Sequence, residues 1–373
     1  MFGDDWGRHP STIQHIGRVL TQTNRILWVN TLGSRRPSLQ WYDVKRIVGR
    51  LGAFVKPLKT AVTHPAVSIV QPFVVPFFDL PVVGRLNNRL LSWLLARKLT
   101  ELSFRRPIVI SATPLTADLV GTFGESSSYY LCLDDYTAFD GVFKVFGTME
   151  ARALERVDCM FAISESLLLA RRPKCRRGVF LPQGVDTGHF DSVAKPIPDI
   201  MQSFRKPIVG FFGLIAPWIN SDLILKCANQ YPDASFVLIG KVGIDEKLFR
   251  SAKNVHLLGE IPYEDLPCYA QAFDVGLIPF KKNELTIASN PLKMLEYLSL
   301  GLPVVSTDLP EVKRFDDVVH VASSDEEFIR LIRTALDNNT PSDRVERRGR
   351  ALEYSWAKIT EMLSTVIEEV ENS

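Results

Sequence analysis

SNPLKMLEYLSLGLPVVSTDLPEV, residues 289–312, decides the fold, because it reads as a helix with both ends specified and a buried strand directly after it. Asn290 fits the N-cap, Pro291 the first helical position, and Gly301 the left-handed residue after the last turn, while Pro303 blocks continuation. The apolar run 303–305 suits a buried parallel strand. Its C-terminal end carries Ser306, Thr307 and Asp308 into the region where open α/β sheets bind ligands.

On that helix Lys293, Glu296 and Tyr297 share one face at i, i+3 and i+4, and Met294, Leu295 and Leu298 lie on another. One face is expected to pack and the other to stay free for a ligand. A helix start offers unpaired N–H groups and the positive end of its dipole, so it can hold a phosphate, and Lys293 adds a full charge there. Glu296, a turn deeper, is placed to accept hydrogen bonds from a sugar hydroxyl. The competing reading is an exposed lysine–glutamate pair worth a few tenths of a kcal/mol. The spacing alone supports both.

NPLKMLEYLSLGLPVVST (290–307) resembles the donor-binding helix and strand of GT-B glycosyltransferases, which transfer a sugar from a nucleotide-sugar. The resemblance continues upstream, in the expected order, through LPQGVD (181–186), GFFGLI (210–215), LIGK (238–241) and VHLLGEIPYEDLPCYAQAFDVGLIPF (255–280). WGRHPSTIQH (6–15) is similar to the teichuronic-acid and exopolysaccharide branch, which includes the GumK-like enzymes. The resemblance implies an α/β chain with two Rossmann-like domains facing across a cleft, the donor on the C-terminal one and the acceptor on the N-terminal one. It implies no resident cofactor or metal, since the nucleotide-sugar is a co-substrate.

Composition is compatible with that. The chain has 373 residues, 46% hydrophobic and 23% charged, enough for two cores. A formal net charge of +2 gives no whole-molecule argument for nucleic acid. The five cysteines, Cys132, Cys159, Cys175, Cys227 and Cys268, lack metal-ligand spacing and suggest reduced thiols. With neither a signal peptide nor a long uncharged apolar run, the expected location is the cytoplasm, with peripheral contact at the inner face of the membrane as an option.

In chain order, the first strand is expected to be missing or very short, because only Met1 and Phe2 precede the polar turn Gly3, Asp4, Asp5. Residues 6–10 suit a loop and 11–20 a helix; Arg8 and His9 would face the cleft, where the resemblance places acceptor or phosphate contacts. RILWVN (25–30) reads as a strand. Residues 67–83 are apolar and proline-rich, and a helix over 85–102 mixes Leu90, Leu91, Trp93, Leu94 and Leu95 with Arg85, Arg89, Arg97 and Lys98. That composition fits either a core helix with a basic outer face or an interfacial helix lying on anionic lipid.

IVIS (108–111) and YYLCL (129–133) are strands, and the second runs into Asp134 and Asp135. A carboxylate at that strand end points into a ligand crevice, and an inverting sugar transfer needs a base to take the acceptor's proton. Asp135 is the first candidate and Asp134 the alternative; the other reading makes both of them turn residues. The second half departs from the retaining GT-B pattern in two places. After Gly213 the segment LIAPWINSD lacks the usual Arg and Lys, and Ala288 stands where the first of two glutamates is usual, Glu296 being the second. Diphosphate binding then falls to Lys293, the helix amides, Asn290 before them and the Gly213 turn, and the resemblance implies that the base lies near Gly240 and Ile261. The expected organisation is an acceptor domain over 1–188, a linker over 189–206, a donor domain over 207–345, and a C-terminal helix over 346–373 returning to the first domain. The expected function is sugar transfer from a UDP- or GDP-linked donor to a saccharide or lipid-linked acceptor in cell-surface polysaccharide synthesis. The alternatives are a nucleotide-sugar epimerase and a non-catalytic nucleotide-sugar-binding partner.

Overall fold

The chain alternates short apolar runs with amphipathic ones, and in the computed structural model these become two α/β units. Residues 1–7, 10–32, 61–72, 74–75, 80–136, 145–191 and 196–373 are described. One unit comprises Met1–Pro182 with Ile359–Ser373, and the other Gln183–Lys358.

In the first unit the strands are β1 (Ile26–Val29), β2 (Ala61–His64), β3 (Val67–Val70), β4 (Ile108–Ser111), β5 (Ser127–Cys132), β6 (Cys159–Ala162) and β7 (Gly178–Phe180). Every residue of β1, β5 and β6 is buried, as expected for parallel strands covered on both faces. They form two sets, β1-β3-β2 and β4-β5-β6-β7. Phe2 stitches them together, bridging Val29 and Ser111 in parallel. Its N–H donates to the Ile110 carbonyl at 2.9 Å, and its carbonyl accepts from Ala112 at 3.1 Å. The first strand is therefore a stub at the middle of the sheet, as the polar turn after it suggested. Gly3 is required there, because a Cβ would lie 2.7 Å from Trp28 Cζ2 and 2.8 Å from Ile13 Cγ2.

The helices of this unit include α1 (Thr12–Leu20), α2 (Pro81–Glu101), α3 (Val145–Arg156) and α4 (Glu165–Arg171). α2 starts four residues before the expected Arg85, since Pro81 at its first turn is preset for helix entry. It buries Gly84, Asn87, Leu91 and Leu95, and leaves Val82, Leu86 and Trp93 exposed at 75%, 62% and 59%. The C-terminal helix, Trp356–Glu371, buries Ile359, Leu363 and Ile367, and the Ile367 carbonyl accepts from Tyr129 Oη at 3.4 Å.

The second unit has six parallel strands, β8 (Ile208–Phe212), β9 (Ser235–Ile239), β10 (Val255–Gly259), β11 (Val275–Ile278), β12 (Val304–Thr307) and β13 (His320–Ala322), in the order β10-β9-β8-β11-β12-β13. Order reverses between β8 and β11, and ligands bind at the carboxyl ends of strands at such a reversal. The helix that follows β11 on the way to β12, α5 (Leu292–Ser299), is thereby brought to the end of β8. The expected helix over 263–272 shortens to Leu266–Ala270, since Pro267 fits only its first turn. Residues 196–206, part of the expected linker, contribute Met201 to this unit's core.

Candidate functional site

α5 ends as its sequence predicts. Gly301 is left-handed at φ 74°, its N–H donates to the Leu298 carbonyl at 2.9 Å, and Leu302 N–H reaches back to Tyr297 at 3.0 Å, a Schellman closure. Its start differs. The capping position is Pro291, with no side-chain cap, and Asn290 lies one residue earlier, buried, so the donors of the first turn are not taken up by a capping side chain.

The expected free face is only partly free. Tyr297 is wholly buried, and its hydroxyl accepts from Phe212 N–H at 3.1 Å, fixing α5 to the last residue of β8. Lys293 is half-buried rather than exposed. Its chain lies over the Gly213 turn, where a Cβ on Gly213 would stand 1.9 Å from Lys293 Cε and 2.7 Å from Nζ. The ammonium sits 5.9 Å from the centre of the Phe211 ring. Burial pulls the lysine pKa below its ordinary value, and Glu296 opposes that. Glu296 is only 6% exposed, so the exposed-pair reading fails. Burial pushes its carboxyl up to about 7, against the pull of Lys293.

Two glycine turns form the floor. Gly213 and Gly240 have φ 129° and 136°, and a Cβ on Gly240 would lie 2.0 Å from the Gly213 carbonyl oxygen, a backbone clash that excludes every other residue. Gly213 N–H donates to Ile239 at 2.8 Å, and Gly240 N–H to Gly259 at 2.7 Å, so the ends of β8, β9 and β10 are tied together. The structure thus groups Gly213, Gly240, Lys293 and Glu296, with Asn290 just before α5 and Ile261 just past β10. The strand end beyond β12 is occupied: Thr307 Oγ1 donates to Phe280 at 2.9 Å, and Asp308 holds Lys282 at 2.8 Å and Lys313 at 2.7 Å.

In the first unit, Asp134 and Asp135 follow β5 but differ in surroundings. Asp135 is 3.1 Å from Arg171 at the end of α4, and Arg171 also pairs at 3.1 Å with buried Glu150 of α3, which accepts from Tyr130 Oη at 3.0 Å. Asp134 is exposed as a residue and has no such cation partner among the ion pairs of the described residues. Desolvation by the surrounding chain, then the like charges of Asp4 and Asp135, move its pKa upward. The loop carrying Asp4 is held in place: Trp28 Nε1 donates to the Asp4 carbonyl at 2.9 Å and Trp6 N–H to Asn30 Oδ1 at 3.0 Å. Arg8 and His9 lie outside the described residues. Sequence reasoning missed the Tyr130–Glu150–Arg171 chain. Its trace was a glutamate on the apolar face of α3, beside Met149, Ala153 and Leu154.

Residues 206–338 match the family described as "Glycosyl transferases group 1". They form a group 1 glycosyltransferase domain. All of this glycosyltransferase domain's grouped residues, Gly213, Gly240, Lys293 and Glu296, lie within the matched range. A relative from Bacillus subtilis, TuaH, named for a glycosyltransferase of teichuronic acid biosynthesis, is 31% identical over 185 residues. The match covers 46% of this chain and 45% of TuaH, so the chain spans about half the length of that curated relative. Among solved structures, the E. coli protein titled trehalose-6-phosphate bound with UDP-2-fluoro glucose superposes with TM-score 0.71 at 12% identity, covering 100% of this chain and 98% of that one. Sucrose-phosphate synthase of Thermosynechococcus elongatus gives 0.72 at 13% identity over 96% and 92%, and Anabaena HepE with UDP and glucose gives 0.67 at 14% over 98% of each. The fold is GT-B, as the resemblance implied.

Proposed function

We propose that the protein is a glycosyltransferase that takes a sugar from a UDP- or GDP-linked donor and passes it to a saccharide or lipid-linked acceptor in the synthesis of a cell-surface polysaccharide. The observation that carries this reading is Lys293 folded over the Gly213 turn where strand order reverses. An ammonium and the N–H groups of the first turn of α5 then converge on one point, which suits a diphosphate leaving group. Glu296 accepts from the ribose hydroxyls, and Asn290 and the Gly240–Ile261 side contribute to holding the nucleotide. The segment after Gly213 supplies no cation to replace Lys293, since it places Ile215, Ala216 and Ile219 in the core.

For the acceptor's proton, Asp134 is the better base. Asp135 is engaged by Arg171, and a guanidinium that stabilises a carboxylate weakens it as a proton acceptor. Asp135, Arg171 and Glu150 act as the scaffold that aims the strand end. The exposed stripe of α2, Val82, Leu86 and Trp93 interleaved with Arg85, Arg89 and Arg97, suits contact with anionic lipid, where a lipid-linked acceptor would reside. No helix among the described residues is long and apolar enough to cross a membrane. The deciding experiment measures nucleoside diphosphate released from a panel of UDP- and GDP-sugars, with and without lipid extract. Release stimulated by extract supports transfer; none from any donor sinks it.

A further inference from the structure

LPQGVD (181–186) supplies no residue of the donor site, yet it leads into a short helix of the second unit, Thr187–Asp191. Asp186 fixes the start of that helix. Its carboxylate accepts from His189 N–H at 3.0 Å, and its carbonyl accepts from Phe190 N–H at 3.2 Å. Both side chains so held meet Tyr263, which stands two residues past Ile261 in the loop after β10. The His189 ring stacks on the Tyr263 ring, 4.3 Å between centres and 17° between planes. His189 Nε2 also lies 2.9 Å from the Tyr263 carbonyl, and since a carbonyl only accepts, the ring carries its proton on that nitrogen.

From there the rings run on to α5. Phe190, wholly buried, meets Tyr263 edge-on at 6.0 Å and stacks on Phe212 at 6.1 Å. Phe212 meets Tyr297 edge-on at 4.6 Å, beside the bond from its own N–H to the Tyr297 hydroxyl. The line Tyr263, His189, Phe190, Phe212, Tyr297 therefore ends two residues from Ile261 on one side and next to Glu296 on the other. We infer that His189 is a positioning residue for the donor nucleotide: resting on the donor site proposed above, it holds the loop after β10 at the distance from Lys293 that a nucleoside diphosphate spans. The two ends depend on it unequally. Tyr297 ties α5 to β8 through Phe212, with no contribution from the imidazole, so the phosphate side stands without His189. The base side leans on the imidazole for a stacking face and a hydrogen-bond donor at once.

Calorimetry with UDP, GDP and inorganic pyrophosphate on wild type, His189→Ala and His189→Gln tests this. His189→Ala should bind the nucleotide about tenfold more weakly, the effect of losing one hydrogen bond and a ring stack. It should keep wild-type affinity for pyrophosphate, which reaches the phosphate side alone. His189→Gln, whose amide nitrogen can donate to the same carbonyl, should recover part of the loss. Equal losses for nucleotide and pyrophosphate would make His189 a general support of the unit, and unchanged nucleotide affinity would remove it from donor binding; either result overturns the proposal by itself. A wild-type protein that binds neither UDP nor GDP overturns the donor site and the proposal together.

Discussion

Lys293 is the residue on which the donor site turns. Because the segment 214–222 after Gly213 contains no Arg or Lys, Lys293→Ala should lower turnover on the order of 10- to 1,000-fold, the usual effect of losing one charge-stabilising group. Wild-type kinetics would remove it from the site. Glu296 makes a sharper case, since burial raises its pKa to about 7. The folded protein therefore favours the neutral acid, and its stability falls as pH rises from the ordinary carboxyl range through about 7, then stays level. Nucleotide binding runs the other way, because ribose hydroxyls donate best to the ionised form. Affinity for UDP or GDP should rise with pH through about 7. Glu296→Gln should bind more weakly by roughly 1.5–3 kcal/mol above that pH, the worth of a hydrogen bond to a charged group, and lose the glutamate's part of the pH dependence. Calorimetry on both proteins at several pH values checks this, the nucleotide's own titration being common to the two. With Asp134 as the proposed base, its pKa raised above the ordinary aspartate value, kcat/KM should climb with pH to a plateau. Asp134→Asn should cost turnover about 100-fold or more while nucleotide affinity holds. A variant with normal turnover would shift the role away from it.

Among the elements, α2 presents one buried and one exposed face. Leu91 and Leu95 hold it to the sheet, while Arg85, Arg89 and Arg97 stand among exposed Val82, Leu86 and Trp93. Changing the three arginines to serine should weaken binding to anionic vesicles by ~1 kcal/mol for each charge removed, with melting unaltered. Sedimentation with vesicles at low salt measures it; a wild-type protein that never sediments makes the stripe ordinary surface. The same comparison shows what sequence can and cannot reveal about an element. The end of α5 was legible because Gly301 and Pro303 act through local sterics, and strands such as β1 and β4 fell on their apolar runs. The place of Lys293 was half legible: its spacing fitted both a phosphate contact and an exposed surface pair, and the Gly213 turn beneath it comes from a separate strand. The Asp135–Arg171–Glu150 chain was hidden because its members come from three separate segments, joined only by folding.

At the scale of the molecule, the residues proposed to hold the donor, Gly213, Gly240, Lys293 and Glu296, all belong to Gln183–Lys358. A fragment of that span should therefore bind the same nucleotide with an affinity within about threefold of the whole chain, and should transfer no sugar. If the isolated span folds, by its circular dichroism, and binds no nucleotide, the donor site needs more than this unit. The first unit has a different history. It is assembled from two stretches far apart in sequence, Met1–Pro182 and Ile359–Ser373: Phe2 stands at the middle of its sheet, and the Ile367 carbonyl meets Tyr129 across 238 residues of sequence. Domains on a growing chain usually complete in order from the amino end. Here the order inverts. As the ribosome works along the message, the described strands of the second unit are all made before the helix Trp356–Glu371 that closes the first, so the unit begun earlier is completed later.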